Sequence, residues 1–343
     1  MTRYLGVDLH RNCFTVCTRT KDEKTRVETW RMKALPDFVK TLRKTDHIAV
    51  ESTGNTRLFY EAIAPQVKRV VVVNPTQFKV ISQSVKKTDK HDAETLALFW
   101  AKDHPLPEVR MKDKTQAQMA SITQTRDKLV KQRMTLKNKV NNILSAHGIE
   151  LKREELSREK GLGKVLSFSF DLLVRTELQV LINQIRSLNE SIAQLEETIR
   201  KEGPKQKGHK NLTSIKGIGS TSVSIFLSVI GNVNDFANAG KLASYFGIVP
   251  RVSNSNETER SGRITKQGSK IGRTTLVQCS LIAIRYSPYR RKYYERIKQK
   301  RGTGKAIIAL ARKFWGIIYE TLKNDWVFED FPNFVLVKES RCD

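Results

Sequence analysis

Four acidic side chains in the N-terminal third of the sequence could share a divalent cation. Asp8 follows Leu5-Gly6-Val7 and Glu51 follows Ile48-Ala49-Val50, so each ends an otherwise apolar run. Asp89 and Asp92 stand three apart at the start of a predicted helix, a spacing that lets both face one way with Cβ atoms ~5–6 Å apart. If the two apolar runs are neighbouring strands and the helix crosses their ends, the four carboxylates converge. Such a cluster repels itself unless hard cations neutralise it. Mg2+, or Mn2+ in its place, fits: Mg2+ takes oxygen ligands at about 2.0–2.1 Å, often a few carboxylates plus phosphate oxygens. Two such ions ~3.5–4 Å apart can stabilise the attacking and leaving oxygens of a phosphoryl displacement. Taken singly, each acid has a plainer reading: Asp89 as a helix N-cap with Asp92 in the first turn, and the strand-end acids as loop caps.

A second candidate is the polar, basic stretch 251–268. Ser253, Ser255 and Ser261 lie there among Arg251, Arg260, Arg263 and Lys266. A serine hydroxyl is a weak nucleophile that needs activation, and arginines that spread developing phosphate charge would supply part of it. A serine in a basic loop also reads as a plain hydrogen-bond donor to phosphate. Further upstream, Lys216-Gly217-Ile218-Gly219 between two apolar segments has the form of a helix-hairpin-helix. Its turn exposes backbone N–H groups at a helix N-terminus, which suits a phosphate. The stretch Arg301-Gly302-Thr303-Gly304-Lys305-Ala306 does not make a phosphate-binding loop, since Gln299 stands at the upstream glycine and Ala306 at the hydroxyl position. The six histidines are scattered and imply no zinc site.

The elements that would position these groups follow from patterning. Tyr4–Asp8, Phe14–Thr20 and Arg26–Met32 read as strands joined by short turns. Phe38–Leu42 and Leu58–Ile63 read as short helices, Ile48–Glu51 and Val70–Val73 as buried strands. A helix runs from near Thr88 to about Lys102, and Pro105 and Pro107 close the unit. A meander followed by strands alternating with helices makes an α/β unit with a mixed sheet. An acid after the first strand, another after the fourth and Asp-x-x-Asp on a late helix is the order of an RNase H-like domain. Beyond residue 112 the pattern turns helical. Met119, Ile122, Leu129, Leu136, Val140 and Ile143 fall on heptad positions with Arg126 and Arg133 at two seam sites, and Leu178, Leu181, Ile185, Leu188, Ile192, Leu195 and Ile199 step by three and four. That is a coiled-coil seam, closed within one chain or against a second copy. Residues 161–169 are expected as a flexible connection, 201–210 as a polar linker, and 250–272 as a loop-rich insert before a closing helix, Ala306–Leu322. The expected domains are 1–112, 113–205 and 206–343.

Composition points to the partner. The chain of 343 residues carries 62 Lys and Arg against 35 Asp and Glu, a net charge of +27. Such a field favours polyanions and is out of place in an enzyme of small neutral metabolites. The excess is regional: residues 251–313 hold 17 basic and three acidic side chains, with Tyr286, Tyr289, Tyr293 and Tyr294 interleaved among Arg285, Arg290, Arg291 and Lys292. Basic and aromatic residues together suit phosphates and bases; a solvated helix face with core-packing tyrosines is the plainer alternative. No run reaches the ~18 apolar residues of a membrane span, so no membrane partner is expected. Four scattered cysteines build no disulfide framework, and a reducing cytoplasm is the expected location.

Together these residues resemble the Piv/MooV-type family of DNA invertases and insertion-sequence transposases, insertion-sequence family one-ten, over nearly the whole chain. The resemblance rests on Gly6-Val7-Asp8, Glu51-Ser52-Thr53-Gly54, Lys87-Thr88-Asp89-x-x-Asp92-Ala93, Ile215-x-Gly217-Ile218-Gly219, Ala243-Ser244-Tyr245-Phe246-Gly247-Ile248-x-Pro250 and Gly262-Arg263-Ile264-Thr265-Lys266-x-Gly268. It implies a RuvC-like N-terminal domain with a metal site at Asp8, Glu51, Asp89 and Asp92. It further implies a coiled-coil middle and a mostly helical C-terminal transposase domain with a catalytic serine at Ser255, five residues after Pro250. The family has Ser-Gly here; this chain has Ser255-Asn256, and Ser253 is next in line. The resemblance also implies a phosphoserine link to DNA, a structured non-coding guide RNA choosing donor and target DNA, and homodimers paired into tetramers in a prokaryotic cytoplasm. Competing readings are a metal-dependent nuclease or junction resolvase and a non-catalytic nucleic-acid-binding protein.

Overall fold

The computed structural model describes residues 2–20, 24–78, 88–152, 154–255 and 258–329, without the side chains of 252–261. Two compact units account for it, Met1–Lys112 and Asp113–Asp343. Within the second unit the long helices pack against helices of the C-terminal part.

The first unit is a mixed α/β layer. Strands β1 (Arg3–Leu9), β2 (Cys13–Thr20), β3 (Thr25–Arg31), β4 (His47–Glu51) and β5 (Arg69–Val73) form one sheet in the order β3-β2-β1-β4-β5. The first three are an antiparallel meander; β4 and β5 run parallel to β1. Helix α1 (Leu35–Lys40) starts three residues earlier than the pattern predicts because Pro36 suits a first helical turn. Leu5, Val7 and Leu9 pack with Phe38 of α1 and with Phe59 and Ile63 of α2 (Thr56–Ile63). The strand's period of two then turns Gly6 and Asp8 to the other face, against α3 (Asp89–Ala101). As the middle strand, β1 is covered on both faces, and Leu5 through Leu9 are all buried.

The second unit is mostly helical. Helices α4 (Lys114–Ala146) and α6 (Leu172–Glu202) pack against each other within the chain, and the seam arginines are paired across them. Arg126 Nε donates to Glu196 Oε1 at 2.8 Å and Arg133 Nη1 to Asn189 Oδ1 at 2.8 Å. Between them, the expected flexible connection is mostly helix α5 (Glu159–Ser167). Its Gly161 marks close packing rather than flexibility: a Cβ there would lie 2.1 Å from the Glu155 carbonyl oxygen. The expected linker 201–210 is likewise ordered. It holds the end of α6, a 3-10 turn at Gly203–Lys205 and the start of α7 (His209–Thr213), with Gly203 and His209 buried. Helices α8 (Ser220–Ile230) and α9 (Ala239–Tyr245) follow. The expected loop-rich insert is a hairpin of β6 (Pro250–Ser255) and β7 (Thr258–Ile264). Helices α10 (Lys270–Tyr286), α11 (Pro288–Arg301) and α12 (Thr303–Lys323) complete the unit around Phe226, Phe246, Phe314 and Trp315. No helix among the described residues is long and apolar enough to cross a membrane.

His209 gives the second unit a pH dependence. Its Nε2 lies 3.2 Å from Ser220 Oγ, and burial holds the imidazole below its ordinary pKa. The folded state therefore binds this proton less readily than the unfolded chain. Its contribution is intact above the unfolded value of about 6.5 and is lost as pH falls toward the folded value, with a slope of at most about 1.4 kcal/mol per pH unit. Unfolding measured between about pH 7.5 and pH 5 should show His209→Gln losing less stability than the wild type on acidification; equal losses would remove His209 as the cause.

Candidate functional site

The sheet topology sets the acids side by side. Asp8 sits at the end of β1, and Glu51 is the last residue of β4, its parallel neighbour in a register that pairs Val7 with Val50. Both therefore leave the same edge of the sheet. Helix α3 is capped by Thr88, whose Oγ1 accepts the His91 N–H at 3.2 Å, so the N-cap is Thr88 and not Asp89. Asp89 and Asp92 occupy its first turn, where the helix dipole favours carboxylates. All four acids line one cleft of about 650 Å3, together with His10, Thr53, Thr76 and Thr88.

The loop after β4 is built to hold its shape. Thr56 Oγ1, buried, donates to the Glu51 carbonyl at 3.2 Å and accepts the Thr53 N–H at 2.6 Å. Asn55 Nδ2 donates to the carbonyls of His10 at 3.1 Å and Arg11 at 2.8 Å, tying this loop to the β1–β2 turn. The turn delivers His10 into the cleft, with Nε2 3.1 Å from Asp8 Oδ2 and 3.2 Å from Asp89 Oδ1. Burial raises the Asp8 pKa above the ordinary carboxylate value; His10 works against this, and the charges of Asp89 and Asp92 add to it. Burial opposes protonation of His10, but the Asp8 and Asp89 carboxylates outweigh it and its pKa is raised. One ligand atom each from Asp8, His10 and Asp89 lies within 4.8 Å of the others, a hard oxygen-rich donor set that fits a divalent cation.

In the second unit, the basic candidates divide. Lys216 is exposed in the turn between α7 and α8, where Gly217 has φ +103° and Gly219 is the N-cap of α8. Arg251 and Arg263 are exposed on the hairpin, and Lys266 is exposed in a left-handed conformation just after it. Ser253 pairs with Arg260 and Ser255 with Thr258 through the backbone; the side chains of Ser253, Ser255 and Arg260 lie outside the described residues. Arg291 is exposed and lines a cleft of about 460 Å3 with Arg285, Tyr286 and Lys292. Arg290 is not a surface phosphate contact. It is 3% exposed, its guanidinium lies 4.8 Å from the Phe314 ring centroid, and Nη1 donates to the Lys216 carbonyl at 3.3 Å, bracing the glycine turn from below. Tyr294 is buried as well, whereas Tyr286 and Tyr289 are exposed.

Both regions match family models. Residues 5–149 match the DEDD transposase model of the IS110 type, and residues 209–295 match the model of the transposase IS116/IS110/IS902 family. The chain belongs to the IS110/IS116/IS902 family of transposases. It is 26% identical over 330 residues to the transposase for insertion sequence element IS1111A of Coxiella burnetii, spanning 93% of this chain and 89% of that protein. It is 27% identical over 350 residues to the pilin gene-inverting protein of Moraxella bovis, spanning 95% and 97%. As a member of this family of DNA transposases and recombinases, the chain acts on DNA. The first match contains all four acids, and the second contains the Lys216–Gly219 turn and the β6–β7 hairpin.

Three residues of this transposase's architecture escape sequence reasoning. His10 and Asn55 are single polar residues in turns, and only the β1–β4 pairing reveals that they meet. Arg273, on α10, donates Nη1 to the carbonyls of Phe246, Gln267 and Gly268 at 3.0–3.2 Å and locks the base of the hairpin. Among basic residues of so basic a chain, nothing in the sequence marks it.

Proposed function

We propose that this transposase is a site-specific recombinase of an insertion sequence that cuts and rejoins DNA through a serine–phosphodiester intermediate. The observation that carries the reading is the convergence of Asp8, Glu51, Asp89 and Asp92 on one cleft, in a chain of net charge +27. In this reading the first unit is a RuvC-like domain, and Asp8, Glu51, Asp89 and Asp92 hold Mg2+ or Mn2+. A divalent ion held by these carboxylates would supply electrostatic stabilisation to a phosphate undergoing displacement. Ser255 Oγ attacks the DNA phosphorus, the bond from phosphorus to the 3′ oxygen breaks, and the proton lost from serine is balanced by one gained on the freed 3′-hydroxyl. The phosphodiester is conserved, so rejoining needs no energy source. Lys216, Gly217, Gly219, Arg251, Arg260, Arg263, Lys266 and Arg291 contact nucleic acid; Arg290 supports the Lys216 turn. A structured guide RNA and a dimer assembling to a tetramer complete the reading, in a prokaryotic cytoplasm. The relative named for pilin gene inversion supports inversion beside insertion as the outcome.

Incubating wild-type and Ser255→Ala protein with element-end DNA and its transcript tests this. A covalent protein–DNA adduct in the wild type, absent in the variant, is the expected result. Continued cleavage by Ser255→Ala without adduct would favour a metal-dependent nuclease or resolvase, and an adduct in the variant would move the nucleophile to another residue such as Ser253.

A further inference from the structure

The β1–β2 turn places an imidazole between two carboxylates of the cleft. His10 follows the last residue of β1, its N–H donates to the Cys13 carbonyl at 2.9 Å, and its own carbonyl is held by Asn55. With the backbone fixed at both ends, Nε2 points at Asp8 Oδ2 and Asp89 Oδ1, 3.1 Å and 3.2 Å away. A hydrogen-bonding Nε2 proton and a divalent cation satisfy the same three atoms.

Resting on the divalent-metal reading above, we propose that His10 is a nitrogen ligand of that metal site. It would make the cleft a mixed imidazole–carboxylate site. The consequence is selectivity. Carboxylates and water suit Mg2+ and Mn2+ alike, whereas imidazole suits first-row transition metals such as Fe2+, Ni2+ and Zn2+. Mn2+, the weakest binder of that series, still accepts an imidazole nitrogen more readily than the harder Mg2+. His10 therefore tilts the site toward Mn2+ over Mg2+. The role is separate from that of the four acids, which supply charge. His91, one residue from Asp92 on α3, is not part of the cluster: its N–H is engaged by Thr88 at the helix cap, and it does not line the cleft.

The test is Mn2+ binding to the full chain, followed by electron paramagnetic resonance, with pulsed detection of 14N coupling and Mg2+ competition. The wild type should bind Mn2+ with 14N coupling. His10→Ala should lose the coupling and about tenfold in Mn2+ affinity, while Mg2+ affinity changes by less than about threefold. His10→Gln, which keeps a hydrogen-bonding side chain in this half-exposed turn, should do the same, and His91→Ala should retain both coupling and affinity. Mn2+ bound without 14N coupling, or coupling that disappears in His91→Ala and survives in His10→Ala, overturns the ligand role of His10 and leaves the metal site standing. A wild type that binds neither ion in the presence of DNA overturns the metal site and this proposal with it.

Discussion

Asp8→Asn should abolish DNA cleavage, by on the order of 10^3-fold or more, while leaving the metal-free protein at least as stable as the wild type. The two halves of this expectation come from the same geometry. Asp8 is 5% exposed, on the central strand, with Asp89 and Asp92 near enough to raise its pKa further. A folded-state pKa above the unfolded one means that the fold binds this proton more tightly than the unfolded chain does. Ionised Asp8 therefore costs stability above its folded pKa, and the cost vanishes as pH falls below the ordinary carboxylate value. An amide of the same shape removes it. At neutral pH, Asp8→Asn should melt at or above the wild-type temperature without divalent ions, and the gap should close on acidification. Adding Mn2+ should raise the melting temperature of the wild type, through ligand binding to the native state alone, and should not raise that of Asp8→Asn. A variant that is inactive and markedly less stable without metal would instead mark Asp8 as a structural partner of His10.

The acids were legible because each interrupts a pattern. Asp8 and Glu51 end apolar runs where burial would otherwise exclude charge, and Asp89 and Asp92 repeat at a helical spacing. The mixed character of the sheet was legible for a similar reason, since short turns force a meander and longer helical segments permit parallel return; the order of its strands was not. What the pattern hid is set by tertiary contact. Glycines at 161 and 203 read as loop signals, yet Gly161 abuts the Glu155 backbone and Gly203 would place a Cβ 2.7 Å from Ser224 Oγ. The hairpin 250–264 is rich in Ser, Asn, Glu and Arg, and lacks the apolar alternation by which strands are recognised. Its base depends on Gly247 and Gly268, both at positive φ with carbonyl oxygens of Gln267 and Tyr245 about where a Cβ would stand. Arg290 reads as one charge in a basic run, and only the aromatic rings of Phe314 and Phe328 around it show that it is core.

Gly6→Ala should disable the site from a distance. Gly6 lies on the face of β1 that meets α3, and a Cβ there would stand 2.1 Å from the Ala93 carbonyl oxygen, 2.3 Å from the Ala97 nitrogen and 2.9 Å from Leu96 Cβ. Two of these atoms are backbone, so no side-chain rotation relieves the clash. The helix must lift or slide. Ala93 and Ala97, four apart on the buried face of α3, are the small residues that let it rest on bare strand backbone. Overpacking of this kind costs typically 1–3 kcal/mol and here should reach about 3 or more. The same movement shifts Asp89 and Asp92, in the first turn of α3, relative to Asp8, two residues along β1. Misplacement by about 1 Å costs catalysis on the order of 10^2-fold, so cleavage by the folded fraction should fall by at least that much. Gly54→Ala is the matched control: nothing lies within 4 Å of where its Cβ would stand, and its unfolding should stay within about 0.5 kcal/mol of the wild type. Calorimetry of both full-length variants, with cleavage scaled to the folded fraction, separates the effects. Wild-type stability and cleavage in Gly6→Ala would mean that the seat of α3 on β1 does not set the spacing of the carboxylates.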